Sequence, residues 1–115
     1  MSKEMILSVE VGFKASHQVM WNGLMEEPHE HDFKITVSVK GVPDKDGMVV
    51  NFIDLKALIA EKIIIPLQGR LINEVIPVPT AENIAIWAWD QLKGELNLAE
   101  IRLTEAPGCN VAYFG

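Results

Sequence analysis

His29-Glu30-His31 places two imidazoles one residue apart at the head of an alternating stretch, Asp32-Phe33-Lys34-Ile35-Thr36-Val37-Ser38-Val39. Side chains at i and i+2 of a strand share a face, so both rings can reach one point. The remaining histidine, His17, follows a second alternating stretch, Met5-Ile6-Leu7-Ser8-Val9-Glu10-Val11-Gly12-Phe13-Lys14. A hairpin of the two stretches brings it alongside the pair. Three neutral imidazoles with an open fourth position make a catalytic zinc arrangement. A His-x-His pair by itself more often marks a plain polar face, and it is His17 that raises the metal reading above it.

The elements that must hold these rings follow from periodicity. Met5, Leu7, Val9, Val11 and Phe13 put the apolar face of a first strand on odd positions as far as about Val19, and His17 continues that face. The segment between Val19 and Pro28 carries an Asn22-Gly23 turn signal and the adjacent carboxylates Glu26 and Glu27, and reads as a loop. A second strand spans roughly His31 to Gly41. Leu55, Leu58, Ile59 and Ile63 recur at helical spacing after a start near Asn51, and Pro66 is expected to end that helix. A second helix begins at a Thr80 N-cap, carries the stripe Ile84, Trp87, Ala88 and Leu92, and is expected to end on Gly94 in a left-handed cap. Strands over Glu100–Glu105 and Asn110–Phe114 close the chain, joined by a turn at Ala106-Pro107-Gly108-Cys109. The order ββααββ predicts the α+β class, an antiparallel four-stranded sheet with two helices on one face, in a single domain over residues 1–115. An open sheet with an uncovered face is expected to pair with copies of itself in a closed ring.

Composition narrows the functional classes. Lys and Arg number 10 against 16 Asp and Glu, and the resulting net charge of −6 disfavours a nucleic-acid or anionic-membrane surface. One cysteine, Cys109, cannot form an internal disulfide and is expected to be a small buried apolar residue; Trp21, Trp87 and Trp89 are expected in the core or an interface. No apolar run approaches the ~20 residues of a membrane helix, the polar start Met1-Ser2-Lys3-Glu4 is unlike a signal peptide, and the expected compartment is the cytoplasm.

Five blocks in order carry a resemblance: Phe13-Lys14-Ala15-Ser16-His17; His29-Glu30-His31; Asp46-Gly47-Met48-Val49-Val50-Asn51-Phe52-Ile53-Asp54-Leu55-Lys56; Pro79-Thr80-Ala81-Glu82-Asn83; and Leu103-Thr104-Glu105. Together they resemble the 6-pyruvoyl tetrahydropterin synthase family, which includes 6-carboxy-tetrahydropterin synthase, over nearly the whole chain. The resemblance implies the tunnelling fold, whose subunits assemble β-barrels as trimers or hexamers with active sites at subunit interfaces. It implies zinc held by His17, His29 and His31, a pterin anchored by Glu105, and Thr80, Ala81 and Glu82 lying against that pterin. A carboxylate suits the anchoring role, because it accepts two parallel hydrogen bonds from the pterin N3-H and exocyclic amine.

Two departures bear on the reaction. The family's catalytic cysteine, four residues before the first histidine of the pair, falls on Met25, which cannot act as a base. Glu26, three residues before His29, is similar in spacing to a variant subgroup where a glutamate replaces the cysteine and the side chain of 7,8-dihydroneopterin triphosphate is cleaved to 6-hydroxymethyl-7,8-dihydropterin. The family's Asp-His proton relay falls on Gln68 and Gly69, neither of which titrates near neutral pH. The expectation is a zinc-dependent pterin lyase acting on 7,8-dihydroneopterin triphosphate or a close relative, with Glu26 as base. The alternatives are a zinc- and pterin-binding homologue without catalysis, and a purely structural oligomer.

Overall fold

The computed structural model describes residues 3–115. Two 13-residue strands, β1 (Met5–His17) and β4 (His29–Gly41), form its longest ladder. They pair antiparallel with Phe13 opposite Phe33 and His17 opposite His29. Between them β2 (Met20–Trp21) and β3 (Leu24–Met25) make a small hairpin. Asn22 and Gly23 close it with positive φ at both positions, the geometry a tight two-residue hairpin turn requires. This corrects the expected loop: the Asn-Gly signal closes a ladder, so β1 ends at His17 and β4 begins at His29.

Helix α1 (Phe52–Ile59) starts where expected, with the Asn51 side chain accepting hydrogen bonds from the Ile53 and Asp54 amides. It runs on through a π-helical turn, Ala60–Ile64, into α2 (Ile65–Leu67). Pro66 therefore lies inside the last turn, and the expected end is moved to Leu67. The wider turn just before it relieves the clash a proline ring makes with the carbonyl four residues back. The same turn serves the core. Leu55, Ile59, Ile63 and Leu67 recur every four residues, a step that overshoots a 3.6-residue turn by about 40°. Unwinding through the π turn corrects the drift, and all four side chains are buried.

Helix α3 (Ala81–Leu92) is capped by Thr80, whose Oγ1 accepts from the Asn83 amide at 3.2 Å. Its end differs from expectation, because Gly94 is not in the left-handed region. The Leu92 carbonyl instead accepts from the amides of both Glu95 and Leu96, which satisfies the helix end without a left-handed residue. Strands β5 (Leu98–Ala106) and β6 (Cys109–Tyr113) follow, turning at Pro107-Gly108 with Gly108 at φ 80°. Cys109 is exposed beside this turn, correcting its expected burial. Trp87 and Trp89 pack against the core, whereas Trp21 stands 73% exposed on the β2–β3 hairpin.

The sheet order is β1-β4-β5-β6, antiparallel throughout, with the helices on one face as expected. That face carries the odd positions of β1 and β4, including Val9, Phe13, Phe33, Ile35 and Val37, and the Phe13 and Phe33 rings stack 5.2 Å apart. The opposite face is polar and carries exposed pairs such as Lys34–Glu10 at 3.7 Å. Strands β1 and β6 are the sheet edges. Past α2 the chain runs beside the last residues of β1, with the Gly69 amide donating to the Lys14 carbonyl at 2.7 Å and the Ser16 amide to the Arg70 carbonyl at 3.0 Å. Among the described residues no helix is long and apolar enough to cross a membrane.

Candidate metal and substrate site

The odd face ends in chemistry. Beyond Ala15 and Phe33, β1 presents His17 and β4 presents His31 and His29. His17 lies opposite His29, and His31 lies opposite Ala15, whose small side chain leaves room for the ring. One candidate ligand atom from each imidazole lies within 4.8 Å of the others. Phe33 forms the floor, with its ring edge-on to both His17 and His31 at 5.5 Å. Glu30 alternates to the other side and is exposed, as its place in a strand requires.

Hydrogen bonding sets which nitrogen of each ring faces inward. His17, 1% exposed, has Nδ1 at 2.8 Å from the Pro79 carbonyl, an acceptor only, so Nδ1 carries the proton and Nε2 presents a lone pair. His29 Nδ1 faces two acceptors, the Glu27 carbonyl at 3.3 Å and Glu26 Oε1 at 3.4 Å, and the same logic leaves its Nε2 unprotonated. These two lone-pair nitrogens lie 3.1 Å apart. Glu105 Oε1 lies 3.3 Å from His17 Nε2, and His31 Nε2 is buried with no partner among the described residues. Two lone-pair nitrogens, a carboxylate oxygen and an unpartnered buried imidazole nitrogen converging on one point fit a cation, and three imidazole nitrogens are a donor set suited to zinc. Desolvation pushes the His31 pKa down, outweighing the opposing pull of Glu105, which favours the neutral form that metal binding requires.

Glu105 reaches this cluster by alternation: it follows the buried Ile101 and Leu103 on the same face of β5, and it sits where the β5–β6 register shifts between Thr104 and Ala106. Glu105 and His31 also line a cavity of about 360 Å³ with Glu30, Asp32, Lys34 and Thr104. Glu26 is placed from the other side. Its Oε1 accepts from the Val19 amide at 3.0 Å while lying beside His29 Nδ1. Met25 projects from β3, exposed. Thr80 and Ala81 are brought close by Pro79, but the Thr80 hydroxyl is committed to its cap, and Glu82 is exposed in the first turn of α3. Gln68 and Gly69 lie on the outer edge of β1.

Sequence reasoning did not single out the Pro79 carbonyl, Gln18 or Asn73. The Gln18 side chain donates to the Glu26 carbonyl at 3.0 Å, and Asn73 pairs with the Gln18 backbone. Carbonyl contacts leave no residue-type signature. Asn73 carries a weak one, a carboxamide at the centre of the short turn Ile72–Glu74.

A family model described as 6-pyruvoyl tetrahydropterin synthase matches residues 6–115. The chain is 35% identical over 107 residues to a candidate 6-carboxy-5,6,7,8-tetrahydropterin synthase from Archaeoglobus fulgidus, covering 91% of each chain. It is 33% identical over 100 residues to dihydroneopterin monophosphate aldolase from Pyrococcus furiosus, covering 81% of this chain and 82% of that one. Among solved structures it is similar to a Plasmodium vivax 6-pyruvoyltetrahydropterin synthase variant in which a catalytic glutamate is replaced by alanine. That match has a TM-score of 0.80 at 16% identity and covers 97% of this chain and 98% of the other.

Proposed function

Because the chain belongs to the 6-pyruvoyl tetrahydropterin synthase family, we propose that it is a zinc-dependent pterin lyase acting on 7,8-dihydroneopterin triphosphate or a close relative. Its tunnelling fold and the lyase-type relatives are the frame. The observation that carries the reading is the convergence of the His17, His29 and His31 nitrogens between two carboxylates, Glu105 and Glu26.

His17, His29 and His31 would hold the zinc, which when bound supplies Lewis acidity toward the hydroxyls of the substrate side chain. Glu105 accepts from the pterin N3-H and amine and so fixes the plane of the ring. The start of α3 at Thr80-Ala81-Glu82 borders that ring, with the Thr80 hydroxyl kept as a cap. Glu26, held by the Val19 amide, takes the proton of the second side-chain hydroxyl. The bond between the first and second side-chain carbons then breaks. The aldehyde leaves, the electron pair passes into the conjugated ring, and a proton returns to the first carbon, giving 6-hydroxymethyl-7,8-dihydropterin. Cleavage of this kind is favoured over a carbon-oxygen rearrangement, because Gln68 and Gly69 offer no titrating relay. The Pyrococcus aldolase and the Plasmodium catalytic glutamate support it.

The edge positions of β1 and β6 in the sheet support a ring of subunits, as does a radius of gyration of 15.4 Å against about 13 Å for a compact domain of this size. Incubation of the zinc-loaded protein with 7,8-dihydroneopterin triphosphate and monophosphate, followed by product identification, tests the activity. Turnover no higher than that of His29→Ala overturns it. A second reading, a pterin-binding homologue without catalysis, is favoured by Met25, Gln68 and Gly69; it predicts Glu105-dependent neopterin binding with no product.

A further inference from the structure

Along the last residues of β1 the neighbouring segment forms a short parallel ladder, in which Gly69 donates to Lys14, Ser16 donates to Arg70, and Ser16 lies beside Leu71. The backbone then turns into Ile72–Glu74 and leaves the ladder. At that point the carboxamide of Asn73 stands in for the peptide group the ladder would have offered next. Its Oδ1 accepts from the Gln18 amide at 3.0 Å, and its Nδ2 donates to the Gln18 carbonyl at 2.9 Å. Both bonds reach across 55 positions of sequence to one residue, and flipping the amide would oppose donor to donor and acceptor to acceptor.

Gln18 is the residue between the two halves of the site. Before it stands His17, whose Nε2 faces the histidine cluster. After it stands Val19, whose amide donates to Glu26 Oε1 at 3.0 Å and whose carbonyl accepts from the Glu26 amide at 3.2 Å. The Gln18 side chain adds a third link, Nε2 to the Glu26 carbonyl at 3.0 Å. Glu26 itself is part-exposed and follows a hairpin whose side chains are exposed, so hydrogen bonds carry much of the placement of its carboxylate. Its aim toward His29 depends on these backbone links, and those depend on where Gln18 is held.

We propose that Asn73 is a positioning residue, its carboxamide clasping the Gln18 backbone so that Val19 holds the Glu26 carboxylate beside His29. This rests on the reading of Glu26 as the base. Asparagine alone among side chains of its length supplies a donor and an acceptor in peptide-like geometry; aspartate keeps the bond from the Gln18 amide and loses the one to its carbonyl. Misplacing a catalytic group by about 1 Å costs roughly 100-fold in rate, which sets the scale of the expected effect.

The test compares Asn73→Ala, Asn73→Asp, Glu26→Gln and the Asn73→Ala/Glu26→Gln double variant as zinc-loaded proteins. Asn73→Ala is expected to lower kcat about 10- to 100-fold with KM within about threefold, with Asn73→Asp in between. In the double variant kcat is expected to fall no further than in Glu26→Gln alone, since the clasp acts through that carboxylate. Hydrogen exchange on the folded protein gives a readout apart from activity: the Val19 amide loses protection in Asn73→Ala while the β1 amides before Lys14 keep theirs. Multiplying losses in the double variant, or a Val19 amide still protected in Asn73→Ala, overturn the proposal. Failure of the functional reading is separately visible as wild-type protein without turnover, or as Glu26→Gln with undiminished kcat, and the Val19 amide still decides whether Asn73 holds the loop.

Discussion

The His17 imidazole gives its Nδ1 proton to the Pro79 carbonyl across 2.8 Å, joining the end of β1 to the residue before the α3 cap. This one bond fixes both the tautomer of the ring and the direction of its free nitrogen. A histidine ligand oriented by a backbone carbonyl is ready to bind metal without reorganisation. His17→Ala, His29→Ala and His31→Ala are each expected to abolish stoichiometric zinc binding, measured by elemental analysis after dialysis. Retention of stoichiometric zinc by any of them removes that residue from the ligand set.

Glu105 borders the histidine cluster and also lines the neighbouring cavity, and its proposed role is to anchor the pterin. Glu105→Gln leaves one acceptor where a pterin needs two. Loss of one charged hydrogen bond, worth about 1.5–3 kcal/mol, weakens neopterin binding roughly 10- to 100-fold in a fluorescence titration. Zinc content should stay unchanged; a fall in zinc with unchanged pterin affinity would reverse the assignment.

Glu26→Gln tests the base. General-base catalysis contributes about 10²- to 10⁴-fold, so kcat should fall by that order with little change in KM. The zinc content and the pterin affinity should match those of the wild type.

The desolvation that lowers the His31 pKa makes the metal-free fold sensitive to acid. With the folded pKa below the unfolded value of 6.5, the unfolded chain binds more protons between the two. Stability is therefore unaffected well above 6.5 and falls as the pH drops through that value toward the folded pKa. Urea midpoints of the zinc-free protein from pH 8 to pH 5 should decline, and His31→Phe should flatten the decline. A midpoint that rises on acidification contradicts the assignment.

The π turn and the Asn51 cap give a test of the scaffold apart from the site. Asn51→Ala removes the acceptor for the Ile53 and Asp54 amides and should cost about 1 kcal/mol, read from urea unfolding. Ile63→Ala empties a fully buried position on the continuous stripe and should cost about 2–5 kcal/mol. A smaller cost for Ile63 than for Asn51 would mean that the stripe is not packed as described.

Residue types and spacing alone determined the faces of this protein. Alternation over Met5–Phe13 and Phe33–Val39 assigned the odd positions to the core, and parity carried His17, His29 and His31 onto the same face before any partner was known. The caps at Asn51 and Thr80 were equally legible, because a capping side chain bonds amides two or three residues away. What the tertiary structure decided depends on contacts distant in sequence. The Pro79 carbonyl selects the His17 tautomer from 62 residues away, and the pairing of β5 beside β4 brings Glu105 Oε1 to 3.3 Å from His17 Nε2. The Asn22-Gly23 turn was visible, yet only the bond from the Val19 amide showed that the hairpin it closes delivers Glu26 to His29. Pro66 and Gly94 misled for a related reason: a π turn accommodated the first, and the Leu92 carbonyl, satisfied by two amides, left the second without a left-handed role. Spacing fixes which side of an element a residue occupies; the direction in which its polar atoms point is set by the groups that pack against it.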